Sequence, residues 1–221
     1  TNSGDILLGH TDMNDEGTCT YASILWAPKP KDYELEFKQI FKTECIDLSL
    51  GQGHNTVAHM VGARVVHDEA RNKLIFSVGM LNNFLLPQDD NSSYGKILEI
   101  NFNKNELISN GINSPDVDFI AKGARNPQGL TVCGNNVVFS SHGPKGGDEV
   151  NFISLAYDTI PKNFGWPIAS YGTHYDGTFG DDAPSYAPMY QDHTKYGFSE
   201  SLIHYTPSVA PSQIISEPTG A

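Results

Sequence analysis

Leu74-Ile75-Phe76-Ser77-Val78-Gly79 is the stretch of this 221-residue chain that best indicates its fold. It is an apolar run of strand length that ends at a glycine, and it is rich in residues that favour β-structure. Val137-Val138-Phe139-Ser140-Ser141 has the same character further along the chain. Each run belongs to a triplet of β-rich segments, at residues 63–66, 74–79 and 96–100 and again at residues 129–132, 137–141 and 149–153. The chain therefore contains a degenerate repeat of strand, hairpin, strand, loop and strand.

Short β-rich runs bounded by Gly, Asn and Asp turn signals recur elsewhere, and no segment has sustained helical periodicity. They predict strands at residues 21–27, 34–41, 63–66, 73–78, 96–102, 136–141 and 150–155. Repeated small sheets favour an all-β protein of the β-propeller type, and a β-sandwich is the alternative. Blades of about 45 to 60 residues would number three or four in a single domain spanning residues 1–221. We therefore predict a partial propeller.

The charge balance argues against nucleic acid as a partner. The formal net charge is −12, and the Lys and Arg residues form no basic cluster that would attract a phosphate backbone. No apolar stretch approaches the roughly 20 residues of a membrane helix, so we predict no membrane insertion. The acidic excess suits cation binding, and it equally suits a soluble acidic surface.

The cysteines leave one pairing open. Cys19 and Cys45 lie nearly symmetrically about the turn-like residues 28–32, so a hairpin centred there would bring them opposite each other. The alternatives are a disulfide and two unpaired thiols. Cys133 is predicted to be a buried strand residue.

Three linked motifs carry the functional signal. They are Gly123-Ala124-Arg125-Asn126-Pro127-Gln128-Gly129-Leu130, then Ser141-His142-Gly143-Pro144-Lys145-Gly146-Gly147-Asp148-Glu149-Val150-Asn151, then Asn163-Phe164-Gly165-Trp166-Pro167. In this order and spacing they resemble the glucose/sorbosone dehydrogenase family, as does a fourth motif, Thr206-Pro207-Ser208-Val209-Ala210-Pro211-Ser212. The resemblance implies a six-bladed propeller that carries pyrroloquinoline quinone (PQQ) and calcium. It covers roughly residues 55–215.

The resemblance places the cofactor at Arg125, Asn126 and His142. PQQ has three carboxylates and an ortho-quinone, so it needs cationic and amide donors of the kind that Arg125 and Asn126 supply. The alternative is that these residues only stabilise a turn between blades. His142 occupies a position that lines the cofactor in the family.

The resemblance also implies metal ligands. Backbone carbonyls at Gly143 and Pro144 would bind a calcium ion that bridges to the quinone, because calcium takes hard oxygen ligands. Asp148 and Glu149 match an acidic pair at a structural calcium in the family. A solvated acidic turn is the alternative for that pair.

A general base is needed to take the sugar hydroxyl proton during hydride transfer. The candidate is His59 in His59-Met60-Val61-Gly62-Ala63-Arg64, which resembles the family's His-x-x-Gly-Arg segment, and His54 competes for the role. One extra residue separates His59 from Arg64, which predicts a bulge. Met80 stands where the family has the Asp that orients this histidine, and a thioether is a weak hydrogen-bond acceptor.

The sequence therefore predicts a PQQ- and calcium-dependent aldose dehydrogenase, or a fragment of one, that is periplasmic or secreted. Its substrate would be a small sugar, and its electron acceptor is left open. Tyr186, Tyr190, Tyr205 and Trp166 are candidates for stacking on sugar rings, although core packing is the commoner role of such residues. A catalytically silent binding propeller is the first alternative, and a calcium-dependent lactonase is the second.

Overall fold

The fold is all-β, as predicted. A computed structural model describes residues 1, 4–31, 34–50, 59–103, 105–106, 109 and 117–216. Within these ranges no helix is long and apolar enough to cross a bilayer. The strands that they contain are arranged in three sheets.

The three sheets follow one another along the chain. The first contains β1 (Ile6–Met13), β2 (Cys19–Ala27), β3 (Lys38–Lys42) and β4 (Ile46–Asp47), and β2 pairs with the other three antiparallel. The second contains β5 (Gly62–Asp68), β6 (Lys73–Val78), β7 (Lys96–Asn101) and β8 (Val117–Lys122) in antiparallel order, with β12 (Lys162–Asn163) parallel to β8. The third contains β9 (Pro127–Cys133), β10 (Asn136–Ser141), β11 (Asp148–Ser154) and β13 (Ile203–Tyr205), in the order β13-β11-β10-β9.

The repeat seen in the sequence is confirmed. Strands β5, β6 and β7 form one antiparallel meander, and β9, β10 and β11 form another with the same connections. Strand β3 begins at Lys38, later than the predicted residue 34. Strand β1 was not predicted, because Gly9 and several polar residues interrupt it. A Cβ at Gly9 would lie 2.1 Å from the carbonyl oxygen of Ala63, so only glycine fits this approach to β5.

The second sheet is covered on both faces. Side chains alternate along β6, so Leu74 and Phe76 pack toward the first sheet while Ile75 packs toward the third. Phe76 meets Phe41 edge-to-face at 5.9 Å in the first interface. Burial on both faces explains why β6 has consecutive apolar residues at positions 74–76, the signal that predicted the strand with its observed bounds.

The structure decides the pairing that the sequence left open and corrects the expectation for Cys133. Cys19 and Cys45 form a disulfide with their Cα atoms 5.5 Å apart, which fastens the segment before β4 to β2. Cys133 is exposed, so its prediction as a buried residue was wrong. It ends β9 at the turn before Gly134, where a side chain no longer faces the next sheet.

A buried lysine holds the loop between β6 and β7 in place. Lys96 has no exposed surface, and its Nζ donates hydrogen bonds to the carbonyls of Leu86, Pro87 and Tyr94 at 3.0, 3.1 and 3.0 Å. Burial lowers the pKa of Lys96 to about 8, with a further lowering by the charge of Lys122. One ammonium group therefore satisfies three carbonyls that would otherwise be buried without a donor.

Replacing this lysine tests the loop. We expect Lys96→Met to reduce the free energy of unfolding by about 1–3 kcal/mol, because three carbonyls lose their donor. The folded state holds the Lys96 proton less tightly than the unfolded chain does, so wild-type stability should rise relative to the variant between about pH 8 and pH 10. Urea unfolding across this pH range measures both effects. Lys38→Met, at an exposed lysine, is the control, and an equal loss in both variants would contradict the account.

Candidate functional site

The site is built around a buried arginine. Arg125 lies just before β9 and is only 7% exposed. Its Nη1 donates to the carbonyl of Gly143 at 2.8 Å and to that of His142 at 3.2 Å. Its Cζ lies 5.2 Å from the centre of the Trp166 ring, within cation–π range. Burial lowers the pKa of Arg125, while Tyr175 and Asp148 act in the opposite direction. The guanidinium is thus a largely dehydrated cation held by carbonyls and an aromatic face.

Backbone contacts bring the other predicted cofactor residues beside it. The amide of His142 donates to the carbonyl of Asn126 at 3.0 Å, and the amide of Asn126 donates to the Ser141 hydroxyl at 3.1 Å. The Asn126 side chain accepts a 2.7 Å hydrogen bond from Gln128. The His142 ring places Nε2 3.0 Å from the carbonyl oxygen of Pro211. Arg125, Asn126 and His142, which are distant in sequence, therefore form one cluster.

Asp148 fixes the loop that carries Gly143. Its carboxylate has no exposed surface and accepts a bond from the Gly143 amide at 2.9 Å. Its other oxygen accepts from the Ser208 hydroxyl at 2.5 Å and from the amides of Val209 and Ala210 at 2.7 and 2.6 Å. Burial opposes ionisation, but these four bonds hold the pKa of Asp148 below its usual value. Asp148 thus ties the loop after β10 to the segment after β13.

Glu149 has a different environment. Its carboxylate accepts a hydrogen bond from the Asn151 side-chain nitrogen at 2.9 Å, and burial raises its pKa to about 7. Asn151 is fully buried, and its Oδ1 has no hydrogen-bond partner among the described residues. The Glu149 carboxylate and Asn151 Oδ1 are therefore two neighbouring oxygen acceptors with few hydrogen-bond donors among the described residues.

Met80 forms the floor of the site. Its amide donates to the carbonyl of Arg125 at 3.0 Å, and its Sδ accepts the indole N–H of Trp166 at 2.8 Å. Met80 is fully buried in a cluster with Trp166, Ala187 and Met189, against which Met60 packs. Gly79 before it is required, since a Cβ there would lie 1.8 Å from the carbonyl oxygen of Met60. The residue at this position supports Trp166 and offers no carboxylate to a histidine.

The predicted base lies at the edge of this floor. The extra residue before Arg64 produces the expected bulge, because Gly62 pairs with Val78 and Arg64 with Ser77. His59 is exposed, and its neighbour Met60 is the side chain that packs toward Met80. The competitor, His54, lies outside the described residues. The catalytic role of His59 stays a prediction.

The metal assignments also stay predictions. Among the residues that the structure describes, no group of three or more His, Cys, Asp or Glu side chains has a metal-binding arrangement. Gly143 and the buried Pro144 lie in the loop after β10, which contacts Arg125 through the Gly143 carbonyl, and Asp148 and Glu149 begin β11. Sequence reasoning missed Tyr175, whose hydroxyl lies 3.5 Å from Arg125 Nη2. Tyr175 lies in an irregular segment with no periodic signal, whereas Ser208 lay in a motif already recognised.

A family model described as Glucose / Sorbosone dehydrogenase matches residues 33–217. The match begins earlier than the resemblance predicted from the motifs.

Two relatives place the chain in context. It is 31% identical over 128 residues to aldose sugar dehydrogenase YliI of Escherichia coli K12, covering 52% of this chain and 31% of the relative. It is 30% identical over 174 residues to the uncharacterized protein slr1608 of Synechocystis, covering 76% of this chain and 35% of that protein. The alignments thus span about a third of each curated relative.

The fold resembles solved structures. The soluble aldose sugar dehydrogenase of Escherichia coli in its apo form superposes with a TM-score of 0.70 at 24% identity, covering 96% of this chain and 56% of that one. The PQQ-bound aldose sugar dehydrogenase of Streptomyces coelicolor superposes with a TM-score of 0.53 at 22% identity, covering 92% of this chain and 55% of that one. The chain therefore spans a little over half the length of these structures.

The Asp148 network yields a stability prediction. Asp148→Asn should lower the free energy of unfolding by about 2–4 kcal/mol, because an amide cannot accept all four bonds and turns a donor toward donors. The pKa of Asp148 is lowered by folding, so its stabilisation is present above the unfolded value and is lost as the pH falls through the folded value. The difference between wild type and variant should therefore shrink below about pH 4. Denaturant unfolding tests this against Asp182→Asn, an exposed control, and a pH-independent difference would refute it.

Proposed function

The chain belongs to the glucose/sorbosone dehydrogenase family, and we propose that it oxidises aldose sugars at C1 with hydride transfer to PQQ. The observation that carries this proposal is the buried Arg125 guanidinium beside Asn126 and His142. The Streptomyces coelicolor structure that it resembles is of a PQQ-bound aldose sugar dehydrogenase. The proposal concerns the whole protein, of which this chain would supply part of the site.

The residues present fit an anionic quinone. Arg125 Nε is buried with no partner among the described residues, so the side chain has an unused donor besides its charge. Arginine binds carboxylates through parallel donors, and its environment is already dehydrated. When bound, PQQ would accept the hydride from C1 of the sugar. Arg125 and Asn126 would hold the cofactor, and Trp166 would hold Arg125 in place.

Proton removal is assigned to His59. A neutral imidazole in this position would take the hydroxyl proton as the C1 hydride leaves. Met80 supplies no acceptor that would orient that imidazole, so we expect slower turnover than a carboxylate at this position would allow.

The fit to calcium is uneven. The oxygens of Asp148 already accept four hydrogen bonds, and the Gly143 carbonyl already accepts one from Arg125. Glu149 and the unpartnered Asn151 Oδ1 are hard oxygen atoms with few donors. In our proposal Glu149 and Asn151 would therefore hold the structural calcium, the Pro144 carbonyl would contribute to the other calcium, and the Asp148 side chain would bind neither.

The same proposal extends to architecture and location. The three sheets would be consecutive blades of a six-bladed propeller in a single domain, because the second sheet buries both faces against its neighbours. A periplasmic or secreted location is supported by the Cys19–Cys45 disulfide, since disulfides persist in oxidising compartments.

A second candidate function is a non-catalytic propeller that binds a ligand. Two methionines at the floor of the site favour this function. Met80 stands where an orienting carboxylate is expected, and the side chain that packs against the Met80 cluster is Met60, not His59. In that case PQQ or a sugar would bind without turnover.

The test is a dye-coupled dehydrogenase assay on the full-length protein with PQQ, calcium and a panel of aldoses. We expect turnover that requires both additions and falls at least about a hundredfold in His59→Ala, since general base catalysis contributes on that order. His10→Ala, at a half-buried histidine of β1 in the first sheet, is the control and should retain activity.

The outcomes separate the two functions. Turnover that survives in His59→Ala contradicts the base assignment. Binding of PQQ without oxidation of any aldose supports the non-catalytic binding propeller. Failure to bind either PQQ or an aldose contradicts both proposed functions.

A further inference from the structure

Two side-chain amides join segments that are distant in sequence, beside the chain that leads to Arg125. Gln88 Nε2 donates to Asn163 Oδ1 at 3.1 Å, and Asn163 Nδ2 donates to Gln88 Oε1 at 2.8 Å. The Gly165 amide also donates to Asn163 Oδ1, at 3.0 Å, which fixes the orientation of both amides. Gln88 lies between β6 and β7, whereas Asn163 ends β12. These two side chains are here called the amide pair.

The amide pair also holds the backbone of Trp166. Gln88 Nε2 donates a second hydrogen bond, at 2.8 Å, to the carbonyl of Trp166. The amide of Trp166 donates to the carbonyl of Gly123 at 3.1 Å. Both polar backbone groups of Trp166 are thus satisfied by other segments of the chain. The ring whose centre lies 5.2 Å from the Arg125 guanidinium is therefore carried by a backbone that is fixed on both sides.

The amide pair packs directly on the backbone that leads to Arg125. A Cβ at Gly123 would lie 2.5 Å from Asn163 Oδ1 and 2.9 Å from Gln88 Nε2, so only glycine fits there. The Gly123 amide donates to the carbonyl of Pro87 at 3.2 Å. Three segments therefore meet at the amide pair, at residues 87–88, 123–125 and 163–166.

The segment that carries Gln88 is itself fixed. Lys96 Nζ donates to the carbonyls of Leu86 and Pro87, immediately before Gln88. A continuous set of contacts thus runs from Lys96 through Gln88 and Trp166 to the guanidinium of the site. Groups that are held in place before a ligand arrives lose less conformational entropy when it binds, and the residues behind a binding group determine how precisely that group is placed.

We propose that Gln88 is a positioning residue for the cofactor site and that it acts through Trp166 on Arg125. Among the described residues Gln88 donates to the Trp166 carbonyl and to Asn163, and Trp166 is the member of this group that faces the guanidinium. A glutamine that only stabilised the fold would change unfolding without moving the tryptophan ring or altering cofactor affinity in the folded protein. The effect on affinity rests on the proposed function, whereas the position of the ring can be measured without cofactor.

The test uses the full-length protein labelled with fluorotryptophan, in which the fluorine NMR resonance of Trp166 is identified by its absence in Trp166→Phe. Gln88→Met retains the length of the side chain and removes its hydrogen bonds to Asn163 and to the Trp166 carbonyl. We expect it to shift the Trp166 resonance and to raise the Kd for PQQ about fivefold, as the loss of one hydrogen bond beside a binding group would. In the Trp166→Phe background the same substitution should change the Kd by less than about twofold, because the two positions are coupled.

Two further variants complete the design. Gln88→Glu in its ionised form keeps an acceptor for Asn163 but has no donor for the Trp166 carbonyl, so it should show the same shift and the same loss as Gln88→Met. Gln39→Met, at a half-buried glutamine of β3 in the first sheet, is the matched control and should leave both measurements unchanged. Urea unfolding verifies that each variant is folded.

The outcomes keep the positioning role and the proposed function apart. An unchanged Trp166 resonance or an unchanged Kd in folded Gln88→Met overturns the positioning role and leaves the proposed function intact. An equal loss of affinity with and without Trp166→Phe also overturns it, because Gln88 would then not act through the tryptophan. If the wild type does not bind PQQ, the proposed function is contradicted and the resonance alone decides: a shift in both Gln88 variants but not in Gln39→Met supports the placement of the ring by Gln88, and no shift overturns it.

Discussion

The buried carboxylate of Asp148 is the interaction on which the arrangement of the site depends. Burying an ion costs several kcal/mol unless its lone pairs are satisfied, and here four donors from two separate segments converge on it. Each hydrogen bond to a charged group contributes about 1.5–3 kcal/mol, so together they outweigh the cost of burial, in agreement with the lowered pKa. The carboxylate fixes the Gly143 amide and so aims the Gly143 carbonyl at Arg125. The position of the guanidinium therefore follows from a residue that does not touch it.

The hydrophobic pattern of the sequence was sufficient to predict a strand where burial determined which residues occupy it. Strands β6 and β10 were predicted with their observed bounds, because each has three consecutive apolar residues at its centre, residues 74–76 and 137–139. Strand β1 was missed because Gly9 interrupts its pattern. Glycine is required there because the backbone of β5 lies too close for a side chain, which only the folded structure reveals. The cluster of Arg125, Asn126 and His142 was predicted through linked motifs. The contacts of Tyr175 and the four-donor network at Asp148 depend on loop packing, for which the sequence carries no periodic signal.

The floor of the site differs from the pattern that its motifs imply. Met80 uses its thioether to hold the Trp166 indole, and Trp166 supports Arg125 from below. Under the proposed function, cofactor binding would rest on these buried contacts, whereas proton transfer would depend on His59, which is exposed. The same tryptophan also packs against Phe84, with ring centres 5.6 Å apart, so one side chain connects the cation and the floor.

The central claim is that Arg125 is the cation that binds the quinone. An equilibrium titration of PQQ into wild type, Arg125→Gln and Lys145→Gln measures it most directly, because both variants remove one charge and Lys145 lies exposed on the neighbouring loop. The account predicts that Arg125→Gln weakens binding about tenfold to a hundredfold, the loss of a charge-assisted pair, while Lys145→Gln stays within about twofold. Far-UV circular dichroism of each variant verifies that the sheets are retained. Equal affinity in Arg125→Gln and wild type, with the fold retained, would contradict the account.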